Sequence, residues 1–586
     1  APAEAETAAP DPARSAQIRA DVARAGRIIA PLWPLSSFVA VNPVGGLESE
    51  GFDRAAEGAR RWLRGRTHLS LEQYRADLAA GLITEDNLTE AVHLRFMELC
   101  GREPISAGGR TVRPETIILA DLLHGPEGRE TLVPRTALER IVGPATAETG
   151  VIDDTIGKWL TVFVSPPAWP VAHDEESFTT MARRLTTTDA SLARSLDARA
   201  RTWCRSLADD PARIIDASFA AMHVADEDRV EEMRGHLASI AGWSGLAKWR
   251  TEWAQPDESR PVVSPIDIVA VRAMLEAAVA MARRAESRDS RPGTSDHLSS
   301  VDDARHLADR VDAVLAHLEL PDTEATRPTV HRLLEAVPDA ERAAAWLTAS
   351  ETNLDRRLLT MLDRAESERR VSRPDTQLVF CIDVRSEGLR RHLEAAGHDE
   401  TIGFAGFFGV PMRFRGAGWD HAEARCPVLV SPGVDATETP DPDAVADLAQ
   451  QLRRTATAGG VQRAHRETKH VVGAAFVAAE TLGWVLGPLA AAKTFLSRPR
   501  RTRARATTTV QFDDSVLLEQ RVFFAESVLN TMGLTQGFAP LVALCGHTSV
   551  TTNNPHATAL ECGACAGASG DGNARAVASL LLSLIH

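Results

Sequence analysis

The sequence predicts an α/β protein with a largely helical N-terminal part followed by a mostly parallel α/β core. Three observations carry this. From about residue 55 to 365 most windows place apolar residues at helical spacing, as in Val269–Ala285 and Thr329–Leu347. From Thr376 onward short apolar, β-branched runs alternate with helical stretches, the pattern of strands buried on both faces of a parallel sheet. Glycines stand where those helices have to stop, at Gly397 and Gly533.

In chain order, residues 1–15 hold Ala, Pro and Glu without apolar periodicity and read as a disordered tail. Residues 16–110 form an N-terminal segment contributing to the core. Within it the apolar stretch Ala30–Gly46 closes on Asn42-Pro43 and Gly45-Gly46, a turn signal. Residues 111–365 are the mainly helical region, with the polar stretch Glu286–Asp303 as its linker or surface loop. Residues 366–586 are the α/β region. There Thr376–Asp383 reads as a buried strand, and Glu387–Ala396 as a helix with Ser386 as N-cap. Ser515–Met532 reads as a helix, and Phe538–Cys545 as a strand that empties into Gly546-His547. Val471–Ala492 is almost wholly apolar and nearly long enough to span a bilayer. Glu480, Gly483, Gly487 and Pro488 interrupt it, so the expectation is a buried or interface helical hairpin. The basic run Arg498–Arg505 beside it reads as a solvated loop, with anionic lipid as the other reading.

Composition narrows the function. A chain of 586 residues is long enough for two to four packed units, and a net charge of -15 argues against a general nucleic-acid binder. Seven cysteines are too sparse for a disulfide framework, and no secretory signal opens the sequence, so a reducing cytosol is expected. The chain lacks an initiating Met and its last run, Ala576–His586, stops without a C-cap signal, so a fragment is expected.

Chemistry concentrates in two places. In Cys381-Ile-Asp383-Val-Arg385 a thiol and a carboxylate lie two residues apart at a strand end, on one face, with Arg385 able to hold Asp383 bidentately if the extended backbone persists. The second cluster runs from Cys545 and His547 through Asn553, Asn554 and His556 to Glu561, Cys562 and Cys565. Thiol and imidazole density of this kind after a strand favours a metal. Both clusters follow strand carboxyl ends, where open α/β sheets place their crevices. A blander arrangement stays open: Cys545, His547, Cys562 and Cys565 by themselves have the composition of a structural zinc knuckle. Phe404, Phe407 and Phe408 are candidates for an apolar pocket wall, with core packing the commoner role of such residues. His398, His421 and His556 are candidate proton carriers, or surface histidines.

Taken together, FCIDVRSE at 380–387, the Gly-His-Thr-Ser and Asn-Asn-Pro elements at 546–555 and LECGACAG at 560–567 resemble the DabA family of inorganic-carbon transporter subunits. Trp33-Pro-Leu and Val41-Asn-Pro near the N-terminus fit the same family. The resemblance implies a zinc site similar to that of β-type carbonic anhydrases, with Cys381, Asp383, His547 and Cys562 as ligands and Cys545 and Cys565 beside them. It also implies a peripheral subunit on the cytoplasmic side of the cell membrane, paired with a DabB-type, antiporter-like membrane protein and hydrating CO2 to bicarbonate. Asp383 and Arg385 are then the catalytic pair, Asp383 closing the zinc site at rest and leaving it when Arg385 draws it away. A non-catalytic zinc-knuckle scaffold and a zinc hydrolase of another substrate are the competing functions. Val471–Ala492 is the expected partner surface.

Overall fold

The computed structural model describes residues 11–33, 42, 45–107, 109–129, 132–164, 177–253, 262–287, 295–367, 373–447, 449–450, 453, 484, 487–488, 491, 507–551, 554 and 556–585. Most of the Ala30–Gly46 segment, nearly all of Val471–Ala492 and the whole Arg498–Arg505 run lie outside the described residues. The chain divides into two compact units, one of Ala1–Leu32 and Val41–Arg370 and the other centred on Val371–His586.

The first unit is helical, with one short antiparallel pair among its described residues, β1 (Ile105–Ala107) and β2 (Arg110–Val112). Its first helix, Pro12–Ala25, begins inside the stretch expected as a tail. Asp11 caps it by accepting from Ala13 N at 3.0 Å, Pro12 presets the first turn, and Ile18, Val22 and Ala25 are buried. The core is organised around Pro265–Ser287, a helix buried on all sides from Ile268 to Ala280. The two charges in the middle of that span, Arg272 and Glu276, pair one turn apart at 2.9 Å. A second core cluster gathers Tyr74, Leu88, Ile117, Val314 and Trp346.

Two expectations change here. The helical window Thr329–Leu347 is two helices, Thr326–Glu335 and Asp339–Ser367, because Pro338 has no N–H to continue the ladder. The polar stretch Glu286–Asp303 is entered by helix from both sides, by Pro265–Ser287 and by Ser295–His317, the latter anchored by buried Val311, Val314 and Leu315.

The second unit is mixed α/β. Its first sheet is wholly parallel, in the order β4 (Asp399–Phe404), β3 (Thr376–Cys381), β9 (Leu541–Cys545), with Cys381 opposite Phe404 and Phe380 opposite Cys545. The other sheet departs from the parallel expectation. Its order is β6 (Glu423–Arg425), β5 (Met412–Arg415), β7 (Val434–Pro440), β8 (Thr508–Phe512), and only the β5–β7 pairing is parallel. The link between β5 and β6 is too short for a parallel crossover, so those strands fold back on each other. Val379, Phe408, Met412, Val528 and Val577 share the core of this unit.

Element ends also differ. The helix after β3 is Val384–Ala396, starting earlier than expected because Asp383, not Ser386, is its N-cap. Ser386 lies in the first turn, its hydroxyl donating to Cys381 O at 2.9 Å and Asp383 O at 2.7 Å. The later helix is Leu518–Met532, closed by Gly533 at φ 71°, a left-handed position suited to glycine. Among the described residues no helix is long and apolar enough to cross a membrane.

Candidate metal centre

All three strands of the parallel sheet lead at their carboxyl ends to the same sulfur-lined spot. β3 ends on Cys381, β9 runs through Cys545 into Gly546 and His547, and the turn after β4 brings in Gly406. Cys562 arrives from the loop before the final helix, Asp571–Ile585. One ligand atom each from Cys381, His547 and Cys562 lies within 4.8 Å of the other two. Cys381 and Cys562 are buried, and their Sγ atoms are 3.7 Å apart.

This donor set fits a borderline-soft divalent metal, which takes thiolate and imidazole together. The hydrogen bond that the Cys381 thiol donates to Cys562, and then burial, push Cys381 far up from its ordinary value. Cys381 pulls Cys562 down, but Cys565 and burial outweigh it and the thiol is pushed up to about 12. Two thiols in this position give up protons only to a strong local positive charge, which a divalent ion supplies. Burial lowers the His547 imidazole below its ordinary value, so it is neutral at neutral pH, as a metal ligand must be.

Gly406 is part of the cradle. A Cβ there would stand 2.5 Å from Cys562 Sγ and 2.7 Å from Cys381 Sγ, so no larger residue fits without moving the sulfurs. The loops are tied by their own backbone. Cys562 N donates to Ala568 O at 3.1 Å, Gly567 N donates to Cys562 O at 3.0 Å, and Gly570 N donates to His547 O at 2.9 Å. Glu561 fixes the segment after His547, accepting from Thr548 Oγ1 at 2.9 Å, Ser549 N at 3.2 Å and Ser549 Oγ at 3.0 Å.

Asp383 is not in the three-residue group. It caps its helix, accepting from Arg385 N at 2.9 Å, and Arg385 grips it through Nε at 2.8 Å and Nη2 at 2.9 Å. The extended backbone does not reach Arg385, which sits in the first helical turn and folds back to meet the carboxylate. That grip outweighs the effect of burial and holds the Asp383 carboxyl down to about 2. Arg385 also donates to Leu560 O at 2.8 Å and lies 3.3 Å from His547 Nδ1. His547 Nε2 is 3.8 Å from Asp383 Oδ2. One guanidinium therefore connects the carboxylate, the imidazole and the loop that carries Cys562.

The other candidates separate. Cys545 and Cys565 are outside the group: Cys545 Sγ lies 3.9 Å from Ala543 O, and Cys565 Sγ lies 3.3 Å from Gly406 O. Phe408 is fully buried in the core with Phe404 packed beside it, while Phe407 packs against the cysteines. His421 is exposed, paired with Asp420 at 2.8 Å and stacked on Trp419. His556 is exposed and starts the Ala557–Leu560 turn, and His398 O accepts from Asp375 N at 2.9 Å. Sequence reasoning missed Gly406 and gave Glu561 no role of its own. The glycine-rich run after β4 and the carboxylate beside Cys562 were the available signals.

A family profile described as "probable inorganic carbon transporter subunit DabA" matches residues 22–583. The chain belongs to the DabA family. Relatives bearing that same description include proteins of Salinibacter ruber, 30% identical over 96% of this chain, Novosphingobium aromaticivorans, 30% over 96%, and Geobacillus kaustophilus, 28% over 95%. The chain spans 63%, 66% and 66% of the lengths of those three DabA relatives, respectively. No solved structure matches it significantly.

Proposed function

We propose that this DabA chain is the zinc-binding subunit of an energy-coupled inorganic carbon pump, hydrating CO2 to bicarbonate beside a DabB-type membrane partner on the cytoplasmic face. The observation that carries the reading is the group of buried Cys381 and Cys562 with half-buried His547 at the carboxyl ends of the parallel strands, the composition of a site like that of β-type carbonic anhydrases. Zinc held there supplies a Lewis acid that brings the pKa of a water toward neutrality for addition to CO2. Cys381 and Cys562 contribute two negative charges and His547 a neutral donor.

Asp383 is the conditional fourth ligand. While Arg385 holds its carboxylate, Asp383 would leave a metal held by the other three residues open to solvent and substrate; release from Arg385 would let Asp383 close the site. Arg385 is therefore the switch residue, and exchange of Asp383 between two partners is where coupling to the membrane protein would act. A knuckle scaffold would draw on Cys545 and Cys565, neither of which is in the three-residue group, although Cys565 packs beside Cys562.

The test is growth in air of a carbonic-anhydrase-deficient host carrying this protein with its membrane partner. Rescue is expected for the unaltered pair, together with zinc in the purified chain, and both are lost in Cys381→Ser. Rescue that survives Cys381→Ser and Cys562→Ser overturns the reading, as does full zinc retention by those variants with loss in Cys565→Ser.

A further inference from the structure

The helical first unit holds a second cluster of ligand-type side chains. Glu232 and His236 stand one turn apart on the helix Arg229–Ser239, and Glu276 reaches them from the buried helix Pro265–Ser287. They are 2%, 0% and 0% exposed. One ligand atom of each lies within 4.8 Å of the other two. Both ring nitrogens of His236 and Oε2 of Glu276 have no hydrogen-bond partner among the described residues. A native core does not leave His236 Nε2 and Glu276 Oε2 facing each other at 3.4 Å without compensation.

The spacing says what the compensation is. His236 Nε2 is 3.7 Å from Glu232 Oε1 and 3.4 Å from Glu276 Oε2. Hydrogen bonds from N–H to oxygen centre near about 2.9 Å, so these separations are too long for them. A tetrahedral cation with ligand bonds of about 2.0–2.1 Å separates its ligands by roughly 3.3–3.4 Å. The far sides of both carboxylates are already held: Glu276 Oε1 accepts from Arg272 Nε at 2.9 Å and Glu232 Oε2 from Arg140 Nη2 at 2.8 Å. Arginine on the outer oxygen, with the inner one turned to a shared point, is how outer groups orient metal-binding carboxylates. Glu232 Oε1 also accepts from Ala137 N. That chain segment comes close because Gly235 has no side chain; a Cβ there would stand 2.2 Å from Arg135 O.

We propose that Glu232, His236 and Glu276 form a second metal site, taking one divalent transition-metal cation such as zinc or cobalt and cross-linking two helices of the first unit. Imidazole with two carboxylates suits that class of ion. A cavity of about 600 Å³, lined by Glu232 with Arg61, Arg140, Met222, Asp228 and Glu231, reaches one member of the group. The inference does not depend on the carbon-pump reading.

The test uses the full chain carrying Cys381→Ser and Cys562→Ser, loaded with Co2+, dialysed and assayed for bound metal and visible absorption. One equivalent of cobalt is expected, with no thiolate charge-transfer band, and Glu276→Gln or His236→Gln lowers retention about tenfold or more. Absence of cobalt from the Cys-substituted chain at unchanged helix content overturns the proposal and leaves a protonated imidazole between carboxylates as the alternative. Retention of the equivalent in a folded Glu276→Gln or His236→Gln chain overturns it equally. If those variants do not fold, stoichiometry and spectrum of the Cys-substituted parent decide.

Discussion

At the scale of single residues, the candidate metal centre depends on an absent side chain as much as on those present. Gly406 faces both sulfurs, and a Cβ would sit 2.5 and 2.7 Å from them, far inside contact distance. Gly406→Ala must therefore push Cys381 and Cys562 apart or shift the turn after β4. Zinc affinity is expected to fall roughly 10–100-fold, as for other groups that position ligands, with helix content unchanged. Competition against a chelating dye measures this, and an unaltered affinity would show the turn to be soft. Arg385 makes a second prediction, opposite in character. Arg385→Ala removes two charge-assisted hydrogen bonds from Asp383, freeing the carboxylate toward the cation. Zinc is expected to stay bound, or to bind more tightly, while bicarbonate accumulation with the membrane partner is lost. Full accumulation in the variant would sink the switch.

At the scale of elements, the helices of the first unit are joined by buried ion pairs whose partners come from distant sequence. Asp121, on Pro114–His124, accepts from Arg310 at 2.7 and 3.1 Å and pairs with Arg342 at 3.0 Å, each partner on a separate helix. All three side chains are almost fully buried. Asp121→Ala takes the carboxylate from buried Arg310 and leaves Arg342 with Asp339, and a loss of about 3–5 kcal/mol is expected in urea unfolding followed by helix signal. A loss under about 1 kcal/mol would mean that water replaces the carboxylate. The same length scale explains what the sequence did and did not disclose. β3 was legible because a buried parallel strand is a continuous apolar run, and β9 because it too is an apolar run, although it is a sheet edge with Leu541 and Val542 exposed. Cys381, His547 and Cys562 were legible because each follows such a strand or lies in a dense Cys/His/Gly loop. The antiparallel pairings of β6 and β8 were not, since strands of three and five residues with charged or Thr-rich sequence carry no distinctive period. Gly406 was hidden because its need for a bare Cα comes from sulfurs supplied by two other segments. Glu232, His236 and Glu276 were hidden because forty residues separate the last of them from its partners, and only helix packing brings them together.

At the scale of the molecule, two electrostatic effects of opposite sign compete as pH falls. The chain carries 80 acidic against 65 Lys and Arg residues, so mild acid reduces its net repulsion. Against that, carboxylates held by the fold have to be protonated. Burial alone would raise Asp21, Asp189 and Asp339, but Arg24 on Asp21, Lys158 and Ser191 on Asp189, and the Arg129 N–H with Arg342 on Asp339 outweigh it and hold all three below the usual carboxylate range. Exposed pairs contribute about 0–1 kcal/mol each, whereas hydrogen bonds to a sheltered charge are worth about 1.5–3 kcal/mol, so the held carboxylates win. A depressed carboxyl contributes fully above its unfolded pKa of about 3.9, and its contribution is lost as pH drops below that toward the folded value. Stability is therefore expected to be nearly flat from about pH 5 to 7 and to fall steeply under about pH 4. Asp189 tests the cause directly, since it accepts from Trp159 Nε1 at 2.7 Å, pairs with Lys158 at 2.5 Å, and holds the Ser191 N–H at 2.9 Å. Asp189→Asn should cost roughly 1–3 kcal/mol at pH 7, read as a lower urea midpoint of the helix signal. The difference from the unaltered chain should shrink below about pH 4, where the unfolded chain takes up a proton at Asp189 that the folded chain does not. A gap that stays constant with pH would assign the stabilisation to the shape of the site rather than to the charge of Asp189.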